Sequence, residues 1–460
     1  MSNFIPDEHQ LRAVREFSRG SYMLVWDPGV GKTWPVIEAA RRTGGSTLAI
    51  VPAHLRDQWW NAAHDNDPWG EQLTPYVLGE DGLDTAIPKQ VFRNYNFIIA
   101  SYEFVSHEPR WRQLRGMKWE NIAIDECHYL IRQSSTRTQA ILGKTPNSKG
   151  ALVRASKAQW YLSGTPFTFP NEIYPILSRS FPEATRRKSD ARIPGYMTER
   201  EWENEFCVVE TTRFGTKIVD AQNVPELRTR LAPFLDKVRL SEVHPGGNVT
   251  DTIPLRGDLR KLLAGLEPGT LALYETLENV MRDDEIPDDE KLKWLDSHSG
   301  LDMAQLRHNI AVAKVVPTAE MVQFELASYP GKIVVYGWHR EPMAALAKRL
   351  KAPLIYGGIT QKAKDAAKDR FLNDPSCRVL CGQIGAIGTG TDGLQHAARR
   401  GIFMEASWAY RHNKQAIHRL FRRGQRQDTY HSFLSLHGSV DERVARVLKR
   451  NAEIISRALD

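Results

Sequence analysis

At 460 residues the chain exceeds what one hydrophobic core usually supports, so two or three domains are expected. Hydrophobic residues at 41% and charged residues at 25% exclude a disordered tail or a coiled rod and describe an ordinary globular protein. The net charge of +7 is a mild excess over abundant charge of both signs, which permits a polyanion partner without requiring one. Four cysteines, Cys127, Cys207, Cys377 and Cys381, are too few and too scattered for a disulfide framework and fit a reducing compartment. The N-terminal MSNFIPDEHQ has neither the basic nor the apolar block of a signal peptide, and no apolar run approaches membrane-spanning length. The expectation is a cytoplasmic protein, bacterial or viral, or a nuclear one if eukaryotic, with no membrane partner.

In chain order, the first part carries short β-branched or apolar runs at Tyr22 to Trp26, Leu48 to Val51, Phe97 to Ala100, Ile122 to Ile124 and Trp160 to Leu162. Each is followed by a polar or glycine turn and then by helical periodicity, the alternation of a parallel sheet covered by helices. From about Pro182 to Thr318 the strand signal fades, and charged helical stretches such as Leu259 to Leu266 and Leu271 to Met281 take over. Strands return at Ile333 to Tyr336, Leu354 to Tyr356, Val379 to Cys381, Ile402 to Glu405 and Ser432 to Leu434. The predicted organisation is an α/β lobe over 1–181, a helical insertion over 182–318 and a second α/β lobe over 319–460.

Three stretches carry chemistry. After the first strand come Asp27, Pro28, Gly29, Val30, Gly31, Lys32 and Thr33, then a predicted helix. Glycines let backbone amides turn onto phosphate oxygens, Lys32 supplies a point charge, Thr33 offers a hydroxyl to Mg²⁺, and the helix dipole adds to the field. The strict phosphate-loop pattern wants Gly where Trp26 stands. The strand ending at Ile124 leads into Asp125, Glu126, Cys127 and His128, at the carboxyl end of a parallel strand where open α/β sheets bind ligands. Asp125 suits Mg²⁺ and Glu126 suits activation of a water. Taken singly, each stretch also reads as an ordinary polar turn.

The third stretch is QAIHRLFRRGQ, Gln415 to Gln425. A helix there would carry Gln415, Arg419 and Arg422 on one face and turn Arg423 about 100 degrees away. The pair is either a cationic ridge for a transferring phosphoryl group or the solvated side of an amphipathic helix.

Together these motifs resemble superfamily 2 helicase-type ATPases, and specifically the Snf2 family of double-stranded DNA translocases. DPGVGKT, LAIVPAHLRDQWW (Leu48 to Trp60), IIASYE (Ile98 to Glu103), DECH and LSGTP (Leu162 to Pro166) resemble that family's first-lobe motifs. KIVVYGWH (Lys332 to His339), GTGTDGLQ (Gly388 to Gln395) and QAIHRLFRRGQ resemble its second-lobe motifs, in order. FMEASW (Phe403 to Trp408) is similar to the subgroup that remodels branched DNA and anneals strands.

The resemblance implies two RecA-like lobes with ATP and Mg²⁺ bound between them, and a DNA-dependent ATPase acting as a monomer. Gln10 would read the adenine edge. Asp27, Gly29, Val30, Gly31, Lys32 and Thr33 would hold the phosphates, with Thr33 and Asp125 on Mg²⁺. Glu126 would activate the water, and Arg419 and Arg422 would reach the γ-phosphate. Gly390 and Asp392 lie in a motif touching nucleotide and DNA, although GTGTDGLQ departs from the family's usual glycine, asparagine, leucine ending. His128, Thr165 and Gln415 would couple the sites, and His54, Arg56, Ser101, Tyr102 and Thr360 would follow the DNA, double-stranded or branched. The competing readings are a strand-separating DNA or RNA helicase and a binding scaffold switched by nucleotide.

Overall fold

The computed structural model describes residues 5–65, 73–79, 86–148, 150–187, 195–212, 215–244, 246–255, 303–388, 391–436 and 439–459. They divide into two compact units, Met1–Val243 with Glu453–Asp460, and His244–Ala452. Among the described residues no helix is long and apolar enough to cross a membrane.

In the first unit the strands are β1 (Tyr22–Trp26), β2 (Thr47–Val51), β3 (Pro75–Val77), β4 (Phe97–Ser101), β5 (Trp119–Asp125), β6 (Ser156–Leu162), β7 (Cys207–Thr212), β8 (Gly215–Ala221) and β9 (Leu235–Val238). All but β7 and β8 join one parallel sheet in the order β3-β4-β2-β5-β6-β1-β9. The sequences TLAIV and FIIAS of β2 and β4 are buried at every residue. Unbroken apolar runs of this kind suit strands covered on both faces by crossover helices. The helix Glu8–Arg19 opens on a capping box between Asp7 and Gln10 and stops at Gly20. It buries His9, Gln10, Ala13, Val14 and Phe17 on one side, and Phe17 stacks on Trp160 of β6 at 4.9 Å.

The second unit is built on β10 (Asn248–Leu255), β11 (Lys332–Gly337), β12 (Leu354–Ile355), β13 (Val379–Gln383), β14 (Ala398–Phe403) and β15 (Thr429–Leu436). They form a parallel sheet in the order β10-β15-β14-β11-β13-β12. The central β11 splits its side chains by the period of two: Ile333 and Val335 enter one core, Val334 and Tyr336 the other. Both units are therefore RecA-like: parallel sheets with helices, and all ten strands expected from the sequence are present.

The stretch 182–318 differs from the expectation that strands fade there. Its described part contains β7, β8, β9 and β10. β7 and β8 pair as an antiparallel hairpin, β9 flanks β1 in the first sheet, and β10 flanks β15 in the second. Both β9 and β10 are edge strands, half-open along their length. Their sequences LDKV and NVTDTIPL carry charged and hydroxyl side chains that an edge tolerates, so they lack the apolar run of a central strand. The compact units meet in sequence at Val243 and His244, inside the stretch expected to be a separate insertion. Leu259 to Leu266 and Leu271 to Met281 lie outside the described residues.

Candidate active site

The order of the first sheet sets β5, β6 and β1 side by side, so the turns after them share one edge. Those turns are DECH, SGTP and the phosphate loop. Gly164 shows how closely they approach: a Cβ there would stand 2.7 Å from Cδ of Pro28 and 3.2 Å from the carbonyl of Trp26. Within the loop, Gly29 (φ 89°) and Gly31 (φ 95°) occupy the left-handed region that side chains avoid. Thr33 is the first residue of the helix Thr33–Thr43, whose open amides make an anion site. The Lys32 ammonium folds back over the loop, donating to the carbonyls of Trp26 (3.0 Å) and Asp27 (3.3 Å).

Trp26, the departure from the phosphate-loop pattern, has a partner that accounts for it. Its indole donates to Oδ2 of Asp236 on β9 at 2.8 Å, and Arg12 donates to both oxygens of the same carboxylate. The pattern's glycine is thus exchanged for a side chain that ties β1 to β9.

Asp125 is buried at the end of β5. Its Oδ2 accepts the indole N–H of Trp59 (3.1 Å) and its Oδ1 the backbone N–H of Glu126 (2.9 Å). Burial and, after it, the neighbouring Glu126 charge push the Asp125 carboxyl above the ordinary range, while Lys32 pulls it back. Glu126 adopts the left-handed conformation (φ 51°), uncommon for a residue with a side chain. Its Oε2 lies 3.1 Å from Nδ1 of His128, and that nitrogen is 3.2 Å from Oγ of Ser163. Ser163 Oγ in turn accepts the backbone N–H of Thr165 at 3.2 Å. His128 and Thr165, expected to couple events, are joined through Ser163, a residue the sequence reading passed over.

Other expected contacts are placed differently. Gln10 is 1% exposed; its Oε1 accepts the Asp7 N–H and its Nε2 donates to the carbonyl of Gly31 (3.1 Å). It therefore braces the phosphate loop. The Asp27 carboxylate accepts the N–H of Leu240 (2.9 Å) and serves as an anchor to the segment after β9, so the loop's own amides and Lys32 are left to meet phosphate.

Ser101 and Tyr102 do not form a nucleic-acid surface. Ser101 Oγ caps the helix Tyr102–Ser106 through Phe104 N–H, and Tyr102 is 1% exposed with its hydroxyl donating to the Asp125 carbonyl at 2.6 Å. Both were misplaced because long-range packing decides their burial. Arg56 spends its guanidinium on the carbonyls of Ala53 and Leu78, both at 3.1 Å, whereas His54 is exposed.

In the second unit, Gly390 lies outside the described residues. The helix bearing Gln415 is Tyr410–Ile417, and Gln415 packs near Gly388. It ends before the arginines, so Arg419 and Arg422 do not share a helical ridge. The amides of Arg419 and Leu420 bond three residues back, to Ala416 and Ile417, which tightens the chain into a turn. Gly424 (φ 97°) and the buried Gln425 then fix the exit, Gln425 donating to the carbonyls of Gln395 (2.9 Å) and Ala398 (3.2 Å).

Arg419 and Arg422 nevertheless converge. Both donate to Oδ1 of Asp392, Arg419 at 2.8 Å, and Arg419 also donates to the carbonyl of Gly388. Burial raises the Asp392 carboxyl, but Arg422 and then Arg419 outweigh it, and the net shift is downward. An ionised carboxylate facing two guanidinium groups is a partner for the arginines; it would repel a phosphate. Arg423 is exposed, although no helical ridge sets its direction. Thr360 is exposed and caps the helix Gln361–Asn373 through Ala363 N–H.

Residues 9–187 match the SNF2-related domain family. The DNA annealing helicase and endonuclease ZRANB3 of Bos taurus is 22% identical over 458 residues, covering 96% of this chain and 39% of that protein. The Homo sapiens protein of the same name is 22% identical over 460 residues, with the same coverage. The first unit thus carries a match to the SNF2-related domain family, and the chain as a whole is similar to annealing-helicase proteins.

Among other similar proteins, the SWI/SNF-related matrix-associated actin-dependent regulator of chromatin subfamily A-like protein 1 of Drosophila melanogaster is 22% identical, over 95% of this chain and 54% of that protein. Among solved structures, the Sulfolobus solfataricus SWI2/SNF2 ATPase core in complex with dsDNA is 18% identical with a TM-score of 0.42, covering 98% of this chain and 93% of that one. The chain thus spans about two fifths of the length of the annealing-helicase relatives it resembles.

Proposed function

We propose that this chain hydrolyses ATP and uses the turnover to translocate on double-stranded DNA, remodelling DNA or protein–DNA complexes such as forks and branched structures. The observation that carries the reading is the line Glu126, His128, Ser163, Thr165 beside the phosphate loop. A binding scaffold has no use for a water-activating carboxylate steered by a histidine onto the neighbouring strand's turn.

Loop amides and Lys32 receive the β- and γ-phosphates, and Glu126 takes the proton of the attacking water. Thr33 and Asp125 are hard oxygen donors of the kind Mg²⁺ accepts beside phosphate and water. Among the described residues no group of three or more His, Cys, Asp or Glu forms a competing cage. Mg²⁺ when bound neutralises charge on the phosphate oxygens. Arg422, with Arg419 beside it, meets the charge that develops on the transferred group, a contribution on the order of 10³ to 10⁵ in rate.

The DNA substrate is supported by the annealing-helicase relatives, whose similarity runs over 96% of this chain. Contacts mainly to phosphates imply low sequence preference and strong salt dependence. The test compares ATPase stimulation by duplex, single-stranded and forked DNA and by RNA, beside triplex displacement and fork unwinding. Duplex stimulation with triplex displacement is expected. Robust unwinding of a simple partial duplex without triplex displacement would instead assign a strand-separating helicase.

A further inference from the structure

Trp59 stands on the helix Arg56–Asp65, which continues directly from the short turn Ala53–Leu55. Its side chain is 1% exposed, and its indole N–H points at Oδ2 of Asp125, 3.1 Å away and 66 residues along the chain. A buried tryptophan needs a partner for its N–H, and here the partner is one of the few ionisable oxygens at the sheet edge. The other oxygen of Asp125 is already held by the Glu126 amide. Two fixed donors, one on each oxygen, leave the carboxylate a single orientation.

The same helix begins with Arg56, which clamps it to the carbonyls of Ala53 and Leu78. One rigid element therefore has the exposed His54 turn at its start and the Asp125 contact one turn further on.

We propose that Trp59 is a positioning residue: it orients Asp125 toward Mg²⁺ and transmits displacement of the His54–Arg56 turn to that carboxylate. The inference rests on the reading of Asp125 as the Mg²⁺ ligand. When nucleic acid moves the turn, the indole moves with the helix, and the Asp125 oxygen it holds follows. Trp59 touches neither nucleotide nor metal, so its loss changes where the carboxylate sits and leaves the loop amides intact.

The test uses the full chain and two variants that remove the N–H, Trp59→Phe and replacement of Trp59 by benzothienylalanine, which keeps the indole's shape. Binding of a fluorescent ADP derivative is titrated with Mg²⁺, and thermal unfolding is followed in parallel. Loss of a hydrogen bond to a charged group is expected to raise the Mg²⁺ midpoint about tenfold, with Mg²⁺-free ADP binding within twofold of wild type. Affinity for duplex DNA stays unchanged while the DNA-stimulated kcat falls.

The benzothienylalanine protein decides the matter if Trp59→Phe is destabilised. A Mg²⁺ midpoint and DNA-stimulated kcat equal to wild type in that protein would overturn the role of the indole N–H. Absence of Mg²⁺-dependent nucleotide binding in the wild type would instead overturn the ATP-site reading on which the proposal stands.

Discussion

Arg422 donates to Oδ1 of Asp392, the same oxygen that receives Arg419, so a single carboxylate gathers two guanidinium groups that a turn, and no helix, brings near each other. Arg419 is further tied to the Gly388 carbonyl, which makes Asp392 and Arg419 a platform from which Arg422 projects. Arg422→Ala should lower kcat for ATP by at least about 10³, the range of an arginine finger. Arg423→Ala should stay within about threefold of wild type. Asp392→Asn should fall between them, near tenfold, with nucleotide KM little changed. Steady-state kinetics with saturating duplex DNA checks the ordering, and equal losses for Arg422 and Arg423 would remove the assignment.

Glu126→Gln should abolish hydrolysis by a factor on the order of 10² to 10⁴ while leaving nucleotide affinity near wild type. The amide keeps the shape of the side chain but cannot take a proton. Single-turnover hydrolysis beside equilibrium binding of a fluorescent nucleotide separates the two effects. Unchanged hydrolysis would show that another group activates the water.

Gly164→Ala should loosen the phosphate loop. The new methyl group would meet Pro28 Cδ at 2.7 Å and the Trp26 carbonyl at 3.2 Å, and neither belongs to a flexible side chain. Overpacking of this kind costs about 1–3 kcal/mol, read as a lower unfolding midpoint and weaker ATP binding. An unaltered midpoint would mean that the two turns can separate freely.

His431 gives the second unit a pH dependence of known sign. It is buried with Nδ1 against Oδ1 of Asn248 (2.8 Å), and burial, then His418 and Arg400, lower its pKa from 6.5 to about 3. The neutral ring is the native form, so its contribution is whole above the unfolded value of 6.5. That contribution is lost as pH falls from there toward the folded value. Well inside that window the slope approaches about 1.4 kcal/mol per pH unit for one proton. Urea unfolding at pH 7, 6 and 5 should show wild type losing stability faster than His431→Leu. Parallel slopes for the two proteins would contradict the buried neutral ring.

The central strands were legible because runs such as Leu48 to Val51 and Phe97 to Ala100 are apolar at every position, as a doubly covered sheet requires. The phosphate loop and the Asp125–Glu126 turn were legible because their chemistry is local. What escaped detection was settled at a distance.

β9 and β10 escaped because edge strands carry mixed polarity. Tyr102 was assigned to a surface because nothing near it in sequence reveals the Asp125 carbonyl that its hydroxyl seeks. The pairing of Trp59 with Asp125 spans 66 residues, and its one local hint is a tryptophan whose N–H must find an acceptor. Helical spacing after Ile417 looked intact, but the amides of Arg419 and Leu420 bond three residues back, and Gln425, bonded to Gln395 and Ala398, fixes the exit beyond the arginines.

The contact between β1 and β9 bears on where this protein can be cut. The match to the SNF2-related domain family ends at residue 187, yet β9, at Leu235–Val238, covers the flank of the strand that feeds the phosphate loop and supplies Asp236 to Trp26 and Arg12. A fragment trimmed to that match would leave that strand with a raw, sticky margin and an orphaned indole. Fragments meant for solution work should therefore run past the matched domain, at least through Leu240, where Asp27 finds its anchor.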